Sequence, residues 1–114
     1  SDRKIVEKAT EAIRQNFDNP DFSMDMLAAE LNMSRTKMFN FFKSVLDVTP
    51  NDFTLNLKME EAARMLAESR SSNVSEISYA LGFSSPRYFS RCFKAFYNVT
   101  PQQYRKGEPG HERQ

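Results

Sequence analysis

Apolar residues recur along this chain at helical spacing, and the recurrences mark out seven segments. Ile5, Ala9, Ile13 and Phe17 form the first stripe and predict a helix over about residues 3–17. Asp18-Asn19-Pro20-Asp21 breaks it. Ser23 then stands as the cap of a short helix reaching Leu31, with Asp21 and Asp25 beside its positive end. Asn32-Met33 makes a tight turn, Ser34 caps a third helix, and that helix stops before Thr49-Pro50. A long fourth helix is expected over about residues 51–68. It carries Leu55, Met59, Ala62, Ala63 and Leu66 on one side, with Phe53 and Leu57 nearly opposite. A helix apolar on two sides has two neighbours to satisfy. A polar connector follows, then a short helix over 74–81, and Gly82 turns the chain. Ser85-Pro86 opens a sixth helix, with Pro86 pre-organised at its first position. Thr100-Pro101 ends that helix and opens a seventh. No β-branched alternation spans a strand length. The fold class expected is all-α.

Part of this pattern occurs twice. Ser34 through Lys43, followed by Val48-Thr49-Pro50 and Phe53, returns 51 residues later as Ser85 through Lys94, Val99-Thr100-Pro101 and Tyr104. Phe42 and Phe93 coincide without a gap, as do Lys43 and Lys94. Each copy reads as short helix, tight turn, longer helix, which is the helix-turn-helix arrangement. The predicted organisation is a double helix-turn-helix domain over 1–106 and a flexible tail over 107–114. Its first unit covers about 3–50, its linker helix about 51–68 and its second unit about 74–106. At about 1.5 Å per residue the linker spans roughly 25 Å, a length compatible with recognition helices about one DNA turn apart.

Projection of the second long helix places Phe89, Cys92, Phe93 and Phe96 on one face, with Tyr88 at its edge. Arg87, Ser90, Arg91 and Lys94 fall on the other. In the first copy Met38, Phe41, Phe42 and Val45 are expected inside, and Thr36, Asn40 and Lys43 outside, with Lys37 nearer the edge. Phe39 breaks the pattern by projecting onto the polar face, where it would touch a thymine methyl or pack on a neighbouring helix. Cys92 is expected to be a small buried thiol. The exposed residue types suit groove reading, since Arg forks onto guanine edges and Asn onto adenine edges. Lys43 and Lys94, near the ends of the stripes, suit phosphates, and Ser34 and Ser85 bring helix N-termini toward the backbone.

Charge follows the repeats. The chain has 114 residues and a net charge of +1, but residues 83–106 hold five basic groups and no acid. Residues 34–50 hold three basic groups and one acid, whereas residues 1–33 hold four basic and seven acidic groups. Local charge attracts a polyanion more than the net does. A lone cysteine, Cys92, excludes an internal disulfide and fits a reducing compartment. With one histidine, His111, no zinc cluster is expected, and no cofactor or metal is assigned. No apolar run is long enough to span a membrane, so no membrane contact is expected. The start at Ser1, inside a charged helix, suggests a fragment of something longer.

The second copy closely resembles the DNA-binding domain of AraC/XylS-type transcription regulators. The resemblance rests on Asn73 through Ile77, Ala80 through Ser85, Tyr88 through Lys94, and Val99 through Arg105. Leu27-Ala28 through Met33-Ser34-Arg35 to Phe42-Lys43 matches less sharply. It implies seven helices, with one monomer placing two recognition helices in successive major grooves. Base contacts would then fall at Thr36, Phe39 and Asn40, and at Arg87, Ser90 and Arg91. Ser34, Arg35, Lys37, Lys43, Ser85 and Lys94 are the candidates for the DNA backbone. Phe39 and Asn40 depart from the family, where polar residues and Arg respectively are common, so different base preferences are expected there. The first unit is also similar to the regulator ends of Bacteroides-type hybrid two-component proteins, which would put a sensor, kinase and receiver before Ser1.

The function expected is sequence-specific binding of double-stranded DNA at a bipartite, asymmetric site, in the cytoplasm at the nucleoid. The alternative is a module with one unit turned to RNA polymerase or another protein domain. An enzyme is not expected, since no nucleophile–base pair or phosphate loop is visible.

Overall fold

Polar side chains in front of the helices take up backbone donors that the helical ladder leaves free. Ser23 accepts from the Met26 amide at 3.2 Å, Ser34 from Lys37 at 3.1 Å and Ser85 from Tyr88 at 3.2 Å. Asn73 with Glu76, and Thr100 with Gln103, close reciprocal capping boxes. The computed structural model describes residues 1–108. They form α1 (Asp2–Gln15), α2 (Met24–Glu30), α3 (Arg35–Leu46), α4 (Pro50–Glu68), α5 (Val74–Ala80), α6 (Pro86–Tyr97) and α7 (Pro101–Arg105). The all-α expectation holds, with no strand among the described residues. Residues 109–114, which include His111 and most of the expected tail, lie outside them.

Two compact units divide at Leu57/Lys58, inside α4. In the first, α1, α2, α3 and the start of α4 enclose Ala9, Ile13, Leu27, Met38, Phe42 and Leu57. Phe53 packs against this core, its ring 5.0 Å from Phe42. In the second, Ile77, Leu81, Phe89 and Phe93 are buried, and the Phe93 ring lies 4.7 Å from Tyr97 and 5.5 Å from Tyr104. Met59, Ala62, Ala63 and Leu66 are buried along the second half of α4. Leu57 and Met59 thus serve different surroundings on one helix, as its two-sided pattern requires.

The turn inside each motif is built alike. The Met33 amide donates to the Ala28 carbonyl at 3.0 Å and the Asn32 amide to Ala29 at 3.1 Å. The Phe83 amide donates to Ser78 at 3.0 Å and the Gly82 amide to Tyr79 at 3.0 Å. This paired pattern needs a left-handed residue after the helix. Asn32 supplies it at φ 55° and Gly82 at φ 82°. At the far ends of α3 and α6, Asp47 and Asn98 adopt φ of 55° and 65°.

Three expectations are corrected. Val45 is 39% exposed rather than buried, because the α3 core line runs through Met38 and Phe42 toward Leu46 and leaves Val45 at its margin. Cys92 is half-buried, lying beside Tyr88 at the edge of the apolar face. α1 ends at Gln15, not Phe17, as the Asn16 side chain turns back onto the Ala12 carbonyl at 2.8 Å.

Arg105 of α7 closes the second unit. Its guanidinium donates to the carbonyls of Leu66 at 3.0 Å, Ser72 at 2.6 Å and Ser69 at 3.3 Å. It thereby caps the end of α4 and the connector to α5 with one charged fork. Replacing Phe93 with Ala should lower unfolding free energy in urea by about 3–5 kcal/mol. Replacing Arg105 with Ala should lower it by about 1–3 kcal/mol, since it strands partly buried carbonyls. An Arg105→Ala variant of unchanged stability would show the clamp to be passive.

Candidate nucleic-acid interface

α3 and α6 each turn one face inward and leave the other to solvent, and the sequence-predicted residues fall mostly on the outer faces. On α3, Ser34, Arg35, Thr36, Lys37, Phe39, Asn40 and Lys43 are exposed. On α6, Arg87, Arg91 and Lys94 are exposed, while Ser85 and Ser90 are half-buried. Within each unit the candidates therefore lie on one helix or at its N-cap, exposed except for the half-buried Ser85 and Ser90.

The two faces differ in electrostatics. Arg35 is paired with Asp25 of α2 at 3.0 Å, and Lys43 with Asp47 at 3.6 Å. Among the described residues no ion pair engages Arg87, Arg91 or Lys94. The position matching Asp47 is the neutral Asn98. Exposed pairs of this kind contribute about 0–1 kcal/mol, so Arg35 and Lys43 remain available to a stronger anion.

Phe39 stands 47% exposed. Together with Met24, Met38, Pro50, Arg35, Thr36, Thr49 and Asn51 it lines a 360 Å³ cavity in the first unit. Its projection onto the polar face is seen in the structure, and the cavity gives the exposed face of α3 an apolar component.

Around α6 the structure adds contacts that the linear pattern did not single out. Tyr88 is 50% exposed, and the Arg91 guanidinium carbon lies 5.8 Å from its ring centroid. The other side of this aromatic pair is Phe83, 5.9 Å away, over which the Lys58 ammonium lies at 5.3 Å. Burial pushes the Lys58 pKa down. The hydrogen bond between the Tyr88 hydroxyl and Cys92 pushes the phenol pKa up, with Arg91 opposing. The three-residue spacing of Tyr88 and Arg91 was the available signal, since such residues are neighbours on a helix.

Among the described residues, no group of three or more His, Cys, Asp or Glu is placed to hold a metal ion. Nor is any of their helices long and apolar enough to cross a membrane.

A family model described as "Helix-turn-helix domain" matches residues 27–107. The AraC-type regulator from Chromobacterium violaceum superposes with a TM-score of 0.84 at 27% identity, covering 93% of each chain. The chain belongs to the AraC-type helix-turn-helix family. An AraC-type domain is a DNA-binding domain of transcriptional regulators, and seven helices without strands match its fold. The DNA-binding domain of AdpA, a global transcriptional factor solved in complex with a target DNA, superposes with a TM-score of 0.80 at 25% identity, covering 90% of each chain. A protein of Formosa agariphila named histidine kinase P4 is 40% identical over 103 residues. That match covers 90% of this chain, which spans only 7% of the kinase's length.

Ser85 sets the start of the α6 face. Replacing it with Ala should cost about 1 kcal/mol of stability, and replacing it with Gly only a few tenths, in thermal unfolding. Equal losses for both would assign the effect to something other than the cap.

Proposed function

We propose that the chain is the sequence-specific output domain of a transcription regulator, with α3 and α6 as recognition helices in successive major grooves of duplex DNA. The observation that carries this reading is the repeated helix face. Two copies of one module each expose polar and basic residues at the same place, and the similar DNA-binding domain of AdpA was crystallised with a target DNA. Thr36, Phe39 and Asn40 are the base-contacting candidates on α3, and Arg87, Ser90 and Arg91 those on α6. Ser34, Arg35, Lys37, Lys43, Ser85 and Lys94 engage the backbone. Because the readers differ between copies, the site is bipartite and asymmetric.

The tests separate readers from anchors. Arg87→Ala with Arg91→Ala should weaken specific binding in gel-shift titrations by about 1–3 kcal/mol for each guanine fork lost. Unchanged affinity would reject α6 as a reader. Lys94→Ala should weaken all sequences alike and reduce the salt dependence by about one phosphate contact.

A second reading applies to the first unit. Exposed Phe39, its cavity, and the pairing of Arg35 and Lys43 with acids also suit contact with a protein such as RNA polymerase. Thr36→Ala with Asn40→Ala distinguishes the two: loss of DNA affinity supports a reader, and no loss supports a protein interface. The similarity to a segment making up 7% of a much longer histidine kinase supports a place beside sensor, kinase and receiver segments in a hybrid two-component protein.

A further inference from the structure

Arg91 is an exposed guanidinium on a helix, and a long free side chain loses rotamer entropy when it is fixed on a base edge. The second unit contains a device that reduces this loss. Tyr88, one turn earlier on α6, places its ring 5.8 Å from the Arg91 guanidinium carbon. That ring is not loose. It packs 5.9 Å from Phe83, which in turn lies 5.3 Å from the fully buried Phe89. Lys58 covers Phe83 at 5.3 Å, so two cations and two tilted rings form a continuous chain of contacts from α4 to the outer face of α6.

We infer that Tyr88 is a specificity-determining positioning residue, whose ring holds the Arg91 guanidinium ready to fork onto a base edge. This rests on the proposed reading of Arg91 as a base contact. A planar guanidinium stacks on an aromatic face while its in-plane donors stay open, so stacking and base pairing use different parts of the group. The first unit has no equivalent. Its matching residues are Lys37 and Asn40, neither of which carries a ring. The device is therefore particular to the second half of the site.

The test uses the whole chain and DNA from a selected pool. Affinity is measured for the preferred site and for every single-base change, with wild type, Arg91→Ala, Tyr88→Leu, Tyr88→Phe, and Tyr88→Leu combined with Arg91→Ala. Arg91→Ala identifies the position that Arg91 reads, as the one where discrimination collapses. At that position Tyr88→Leu should reduce discrimination roughly two- to five-fold, the range of an exposed cation–π contact. Tyr88→Phe, which keeps the ring, should retain it. In the double variant, loss of Tyr88 should add nothing at that position, because coupled residues are non-additive. A uniform loss across all positions, or full discrimination in a Tyr88→Leu protein that unfolds at the wild-type temperature, overturns the inference. If Arg91→Ala changes discrimination nowhere, the reading of Arg91 falls, and the role of Tyr88 falls with it.

Discussion

The two longer helices of the repeat, α3 and α6, each depend on one buried phenylalanine. α3 and α6 each have 12 residues, a length at which an isolated helix is marginal in water. Their stability comes from packing one face, and Phe42 and Phe93, each with 0% exposure, are the centres of that packing. Each meets an aromatic residue that follows the Val-Thr-Pro segment: Phe42 meets Phe53 at 5.0 Å, and Phe93 meets Tyr104 at 5.5 Å. Thr49 and Thr100 cap the helices bearing those partners, accepting from the amides of Asp52 at 3.0 Å and Gln103 at 3.1 Å. The repeated residues are therefore a single packing unit that fixes an outer face by securing the inner one.

On that common frame the copies diverge in how exposed charge is managed. In the first, acids at Asp25 and Asp47 meet Arg35 and Lys43. In the second, residues 83–106 hold no acid, and Arg91 lies against Tyr88 instead of a carboxylate. A carboxylate competes with phosphate for a cation, whereas an aromatic face does not, because the guanidinium edge stays open. The difference gives the second unit the stronger attraction for a polyanion and gives the first a more apolar surface around Phe39. The same segment that caps α4 in one copy caps the short α7 in the other, where Arg105 ties the chain back to Leu66, Ser69 and Ser72.

The sequence by itself determined the seven helices and the two turns, because their signals are local. Caps at Ser23, Ser34 and Ser85, and the prolines at 50, 86 and 101, act within one helical turn, and apolar spacing reports the buried face directly. The outward placement of Phe39, Asn40, Arg87 and Arg91 was legible for the same reason. Tertiary structure decided what no local rule contains. It left Val45 at the rim of its core and kept Cys92 only half-buried beside Tyr88. It joined Arg105 to carbonyls 33 to 39 residues away. It also brought together Lys58, Phe83, Tyr88 and Arg91, whose neighbourhood exists only once α4, the turn and α6 are packed together. Helical periodicity sets the direction of a side chain, but its partners are set by whichever element folds against it.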